Sequence, residues 1–113
     1  MEELGAKQRI IQEFVPGKQV TLAHTIANPD PKIGLISDTR GAVGVLTVTP
    51  GESAVIAADI ATKCAGVELA FVDRFSGSLL IVGSLADVEA SVRGIVETLT
   101  NVLGFTPAPL TKT

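Results

Sequence analysis

The side chains that could carry out chemistry are few in this chain of 113 residues. The single histidine, His24, shares the apolar face of a predicted strand with Val20, Leu22 and Ile26, which favours a packed or interface histidine over a general base. The single cysteine, Cys64, lies near the end of a predicted helix, where the helix dipole disfavours a thiolate nucleophile. No convergent set of titratable groups predicts an enzyme, and no residue is predicted to be catalytic.

The sequence also lacks the motifs that bind cofactors, metals and nucleic acids. Neither nucleotide-binding glycine pattern follows a predicted strand, and no His/Cys cluster has metal-ligand spacing, so we predict no cofactor and no metal. The net charge is −3, and no basic run could follow a phosphate backbone. No segment approaches the ~20 apolar residues that span a bilayer. We therefore expect a cytoplasmic protein without nucleic acid or membrane partners.

The loop from Asp73 to Ser78 is the most informative feature of the sequence. One interpretation is a solvated hairpin turn, in which Ser76 and Gly77 supply the backbone freedom. The alternative is that the symmetry axis of a ring gathers several copies of the loop and concentrates Arg74, Ser76 and backbone amides around a small hole. The residues alone do not decide between these two interpretations.

Hydrophobic periodicity and turn signals predict the elements that position this loop. Thr49 and Glu52 form a predicted capping box at the start of the first helix, and Ser84 with Asp87 caps the second. A tail at 105–113 contains two prolines and is predicted to be extended at most. The predicted elements are a short strand-like run at 10–15, strands at 18–26, 42–49, 67–73 and 78–83, a helix from 49 to about 64, and a helix at 84–104.

The order of these elements predicts an α+β fold in one domain, since 113 residues suffice for one core. From residue 42 the order is strand, helix, strand, strand, helix, which is a ferredoxin-like unit without its last strand. The strand at 18–26 can supply it. Because that strand precedes the unit in the chain, we predict a circularly permuted version of the fold.

The predicted surfaces are more apolar than a monomer of this size requires. The charged residues Glu52, Asp59 and Lys63 lie on one narrow stripe of the first helix, and the last two have the spacing of a surface ion pair. The strand residues 79–82 are apolar on both faces, whereas a sheet with helices on one side alternates. We predict that neighbouring copies in a closed ring cover these surfaces. The alternative is a compact monomer with a well-buried alanine-rich helix.

The second helix has a more ordinary amphipathic pattern. It is predicted to expose a charged ladder formed by Glu89, Arg93 and Glu97. Its predicted core stripe consists of Val88, Val92, Ile95, Val96, Leu99, Val102 and Leu103.

Three segments of the sequence resemble a known family. They are Arg9 to His24 (RIIQEFVPGKQVTLAH), Gly44 to Pro50 (GVLTVTP) and Val72 to Ser78 (VDRFSGS). From about residue 9 to 113 the chain is similar to the circularly permuted bacterial microcompartment (BMC) shell proteins of the EutS/PduU type. The resemblance implies a non-catalytic homo-hexamer that tiles with other shell proteins in the bacterial cytoplasm. The shell would enclose enzymes of ethanolamine, propanediol or choline metabolism, which are further candidate partners.

The resemblance also divides the chain into two parts. Residues 18–113 would form the permuted ferredoxin-like BMC domain. Residues 1–17 would be an extension that contributes one strand to an intersubunit β-barrel over one face of the ring. That strand consists of Ile10, Ile11, Gln12, Glu13, Phe14 and Val15.

Three further sites follow from the resemblance. Lys63 matches the edge lysine through which neighbouring shell hexamers meet. Segment 28–40 has less helical character than in relatives, and Gly41, at a strand entrance, is a candidate hinge for a bent ring. The pore loop would consist of Asp73, Arg74, Phe75, Ser76, Gly77 and Ser78.

A second functional hypothesis comes from a different class of protein. Ferredoxin-like domains often bind metabolites between subunits, so the alternative is a regulatory ring that binds a small metabolite.

Overall fold

The computed structural model describes residues 17–33 and 41–113. Within these ranges the chain forms one five-stranded sheet whose core face is covered by two helices. The strands are β1 (Gln19–Ile26), β2 (Ala42–Thr49), β3 (Glu68–Asp73), β4 (Ser78–Gly83) and β5 (Leu110–Lys112), and the helices are α1 (Ser53–Cys64) and α2 (Leu85–Asn101). A short 3₁₀ helix spans Pro31–Ile33.

The strand order confirms the predicted permuted topology. The order across the sheet is β3-β4-β2-β1-β5, with antiparallel pairing between all neighbours except β1 and β5, which are parallel. β1 therefore lies beside β2 in the place of the last strand of a ferredoxin-like unit, although it comes first in the chain. The core between sheet and helices includes Leu46, Leu79, Ile81 and Ile95, which are fully buried.

The predicted faces of β1 are wrong because the strand contains a bulge. The pairing of β1 with β2 shifts register between Val20 and Leu22. One extra residue reverses the alternation of the side chains that follow. Ala23 and Thr25 are consequently buried with Val20, whereas Leu22 is exposed and His24 lies on the opposite face of the sheet.

The predicted capping box at the first helix is also wrong. Thr49 pairs with Gln19 as the last residue of β2, so its side chain does not cap the helix. The helix begins at Ser53, and Glu52 at the N-cap position makes no capping bond with its side chain. The end of α1 at Cys64 is as predicted.

The start of α2 is as predicted, and its end comes three residues early. The backbone N–H of Asp87 donates to Ser84 Oγ over 3.1 Å. The helix ends at Asn101, so Val102, a predicted core residue, is 74% exposed. The first five residues of the predicted stripe are buried, and Leu103 packs partly against the core.

The tail contributes a strand that the sequence did not predict. β5 extends the sheet beyond β1, and the Thr111 and Thr113 hydroxyls lie 2.6 and 2.8 Å from the two ring nitrogens of His24. Both ring nitrogens of His24 are therefore engaged within the chain, as expected for a structural histidine.

Two apolar surfaces of the chain are partly or fully exposed. Phe71, Leu80 and Val45 are register neighbours on β3, β4 and β2, and they form a row across the face of the sheet that the helices leave open. On α1, Val55 and Ile56 are 54% and 44% exposed. Exposed apolar side chains grouped in this way are typical of an interaction site, which agrees with the prediction that other copies cover the chain.

Candidate functional site

The loop between β3 and β4 lies where three elements meet. The N–H of Val48, near the end of β2, donates to the carbonyl oxygen of Gly77 over 2.9 Å. On the other side the loop backbone lies against Gly51, in the turn before α1. The loop is therefore supported by β2 and by the entrance to α1 as well as by its own hairpin.

Asp73 holds the loop together from within. One carboxylate oxygen accepts a bond from the Phe75 N–H over 2.9 Å, and the other accepts from the Ser76 hydroxyl over 2.8 Å. The carbonyl oxygen of Asp73 accepts a third bond from the N–H of Gly77. The hydrogen bonds to the carboxylate lower the pKa of Asp73 below its usual range. The largest cause is the bond from the Phe75 N–H, followed by the bond from the Ser76 hydroxyl. The charged carboxylate thus stabilises the turn.

Two glycines allow the loop backbone to pack closely. Gly77 has φ +76°, and a Cβ on it would overlap the carbonyl oxygen of Val48. A Cβ on Gly51 would overlap the carbonyl oxygen of Arg74. Sequence reasoning assigned Gly51 to the helix start and missed its role under the loop. The position of Gly51 between a strand and a helix could have indicated a close backbone contact. The sequence did not show which segment makes that contact, because the loop lies more than 20 residues later in the chain.

The loop presents an aromatic ring and a cation to the outside. Phe75 is 85% exposed, and the Arg74 guanidinium carbon lies 5.0 Å from the centre of its ring. The Ser76 hydroxyl is engaged by Asp73 and lies 3.0 Å from Ser78 Oγ. The outward chemistry of the loop is consequently that of Arg74 and Phe75.

Lys63 lies at the opposite end of α1 from the loop. Its Nζ is 2.8 Å from a carboxylate oxygen of Asp59, and both side chains are well exposed. This is the predicted surface ion pair. Because α1 has 12 residues, its two ends are about 18 Å apart at 1.5 Å per residue. The structure therefore separates the loop from Lys63 and does not combine them into one site.

The structure does not test the other two predicted sites, the hinge at Gly41 and the barrel strand. Gly41 directly precedes β2 and is partly buried, and its role as a hinge stays a prediction. The predicted barrel strand, Ile10 to Val15, and the extension at 1–17 fall almost entirely outside the described residues.

Among residues 17–33 and 41–113, no group of three His, Cys, Asp or Glu side chains could hold a metal ion. No helix in this part of the chain has the length and apolar character needed to cross a membrane.

Comparison with known proteins gives consistent matches. The BMC domain family matches residues 42–109. The bacterial microcompartment shell protein CutR of Streptococcus intermedius is 53% identical over 114 residues, which cover 99% of this chain and 98% of that protein. The shell protein EutS of Salmonella typhimurium is 53% identical over 110 residues, which cover 94% of this chain and 97% of that protein.

Solved structures that match this chain are also of shell proteins. A flat hexamer of CutR matches with a TM-score of 0.83 and 51% identity, and the match covers 93% of this chain and 99% of that one. A fused permuted hexameric shell protein, MSM0275, matches with a TM-score of 0.62 over 73% of this chain and 48% of its own, at 20% identity. The second match supports the permuted fold alone.

Proposed function

Because the chain belongs to the BMC domain family, we propose that it is a structural subunit of a bacterial microcompartment shell and that six copies form a ring. The observation that carries this proposal is the hexamer of CutR, which matches the chain at 51% identity and a TM-score of 0.83. Val55, Ile56 and Phe71 are exposed on the single chain, and a ring of copies would cover such apolar surface. The relatives CutR and EutS are named shell proteins, and on this basis we propose that the chain has a structural role and no enzymatic activity.

In such a ring we place the loop at 73–78 on the axis and Lys63 at the rim. Two observations support this arrangement. The loop lies beside the entrance to α1 and Lys63 lies near its other end, and the helix between them is about 18 Å long. The loop backbone is fixed by its own bonds, so six copies would present six Arg74 and six Phe75 side chains in a defined geometry around the hole.

A barrel formed by residues 10–15 would lie over the same end of the subunit. Support comes from the register of β1, whose first residue, Gln19, pairs with Thr49 beside the loop-supporting residue Val48. The first residues of β1 therefore lie at the loop end of the sheet. We propose that the barrel caps the hole on one face, so that Arg74 and Phe75 border a blind pocket that is open on the other face.

The rim would join this ring to other rings and other shell proteins. Lys63 is exposed, and its bond to Asp59 leaves the ammonium open to further acceptors. We propose contacts with other shell proteins through this edge and place the assembly in the microcompartment shell. The enclosed enzymes would be partners of the inner face. The alternative of a metabolite-binding regulatory ring has no support among the relatives described above, which are named shell proteins.

The experiment that tests the function is native mass spectrometry combined with negative-stain electron microscopy of the purified protein. We expect hexamers and ordered sheets of rings. A protein that stays monomeric at micromolar concentration would overturn the proposal. Lys63→Asp should abolish the sheets and leave the hexamers intact, and Lys32→Asp, a matched change in the exposed 3₁₀ helix, should leave both unchanged.

A further inference from the structure

Among the described residues, β5 combines a strand edge that no other strand covers with a charged groove. The strand pairs with β1 on its inner side, and all three of its residues are exposed. On the face of the sheet that carries the helices, β5 extends beyond α2 and leaves a groove between the two elements. These two features share Leu110 and Lys112, so a single ligand could contact both.

The hydrogen bonds of the parallel pair show which groups of β5 are available. The N–H of Thr113 donates to the carbonyl oxygen of Thr25 over 2.9 Å, and its carbonyl oxygen accepts from Ala27 N–H over 2.8 Å. In a parallel ladder alternate residues bond to the same neighbour. Leu110 and Lys112 therefore direct their N–H and C=O groups away from β1. No strand pairs with that outer side within the described ranges.

The groove has an apolar floor and a rim whose charged side chains carry a net positive charge. Its volume is about 210 Å³. Val92 and Leu110 supply apolar surface, and the charged lining groups are Arg93, Lys112 and Glu89. Lys112 Nζ lies 3.2 Å from a Glu89 carboxylate oxygen, whereas Arg93 takes part in no ion pair within the described part of the chain. Two cations against one carboxylate leave one positive charge in excess.

We propose that β5 and this groove bind an extended acidic segment of another protein. The segment adds a strand to the outer edge of β5, and its main chain bonds to Leu110 and Lys112. Alternate side chains of an added strand point to the same face. One acidic side chain thus lies beside Arg93 and Lys112, with its methylene groups on Leu110.

The size of the groove favours a peptide side chain over a free metabolite. Small-molecule sites enclose about 300–1,000 Å³, and this groove is smaller and open along one side. The main-chain bonds of strand addition supply affinity that such a groove lacks, and the charges supply the selectivity. The proposal concerns a surface distinct from the loop and from Lys63, and it does not depend on how rings tile.

The test is fluorescence anisotropy of labelled peptides with the assembled wild-type protein. The probe is a hexapeptide of alternating threonine and glutamate, and the two reference peptides carry lysine in place of glutamate or proline in place of threonine. We expect the glutamate peptide to bind at least about tenfold more tightly than either reference, since one charge-assisted contact corresponds to that factor. Its affinity should fall as salt is added.

Two variants link the binding to the groove. Arg93→Glu should remove the preference for glutamate over lysine, and Lys32→Glu, the same charge change on the 3₁₀ helix, should leave it intact. Native mass spectrometry checks that both variants assemble as the wild type does. If Arg93→Glu does not assemble, Lys112→Gln replaces it as the test variant. Equal affinity for the three peptides, equal effects of the Arg93 and Lys32 variants, or a hexamer structure with β5 covered by a neighbouring subunit would each overturn the proposal.

Discussion

The loop at 73–78 and the outer face of α1 differ in whether their surface groups find partners within the chain. In the loop, Asp73 accepts bonds from two backbone N–H groups and one hydroxyl, so the polar groups are paired within the chain. On α1, Val55 and Ile56 remain exposed on a helix whose inner face is buried alanine. The shape of the loop is therefore set within one subunit, whereas the exposed apolar residues of α1 are those that we propose a second subunit covers.

The largest expected effect concerns the apolar face of α1. Ile56→Asp should abolish hexamers, because an unpaired carboxylate in each subunit contact costs about 3 kcal/mol or more. The isolated subunit should still fold, since Ile56 is exposed within it. Native mass spectrometry measures the ring and circular dichroism the fold. Thr62→Asp, a change at another exposed position of α1, is the control. Intact Ile56→Asp hexamers would show that this face is not a subunit contact.

The next effect tests the loop within one subunit. Gly77→Ala should destabilise the protein by about 3 kcal/mol or more, because it combines a left-handed φ with overlap on the Val48 carbonyl. Gly104→Ala is a matched control, since Gly104 has φ +74° and a Cβ on it would meet only Lys18 Nζ, at an ordinary contact distance of 3.9 Å. It should cost about 1–2 kcal/mol. Thermal unfolding measures both, and equal losses would mean that the packing of the loop on β2 contributes nothing.

A smaller effect should appear in acid. The pKa of Asp73 is lowered in the folded protein, so its contribution to the loop is complete above the unfolded value of about 3.9 and is lost as the pH falls through the folded value. The amide resonances of Phe75 and Ser76 should therefore move as the pH falls below the unfolded value. In Asp73→Asn this step should be absent. A wild-type titration that coincides with that of Asp73→Asn would contradict the assignment.

The smallest effect is expected at the ion pair on α1. Asp59→Asn should change the free energy of unfolding by less than about 0.5 kcal/mol, because both partners are well exposed and water screens them. Chemical denaturation measures the change. Ring formation should persist, which would separate the role of this pair from that of Ile56. A loss above 1 kcal/mol would indicate that the pair supports the fold itself.

Several features of the fold and site could be predicted from local sequence. The strand order, the Ser84 cap and the hairpin around Arg74 to Gly77 follow from periodicity and turn residues, and the structure agrees with each. The bulge after Val20 was not predictable, because an extra residue in a strand changes no local composition. β5 was missed for a similar reason, since three residues show no alternation and each pairing partner lies 87 residues earlier, as in Ala23 with Leu110.

The sequence by itself determined the family, the permuted order of elements and the excess of apolar surface. These properties depend on residue types and their order along the chain. Only the tertiary structure decided how the loop is held, that His24 joins the tail and not the core, and that β5 leaves a charged groove beside α2. Those features arise from contacts between residues distant in sequence, such as Gly51 with Arg74 and Glu89 with Lys112. Such contacts exist only once the sheet has fixed which strands are neighbours.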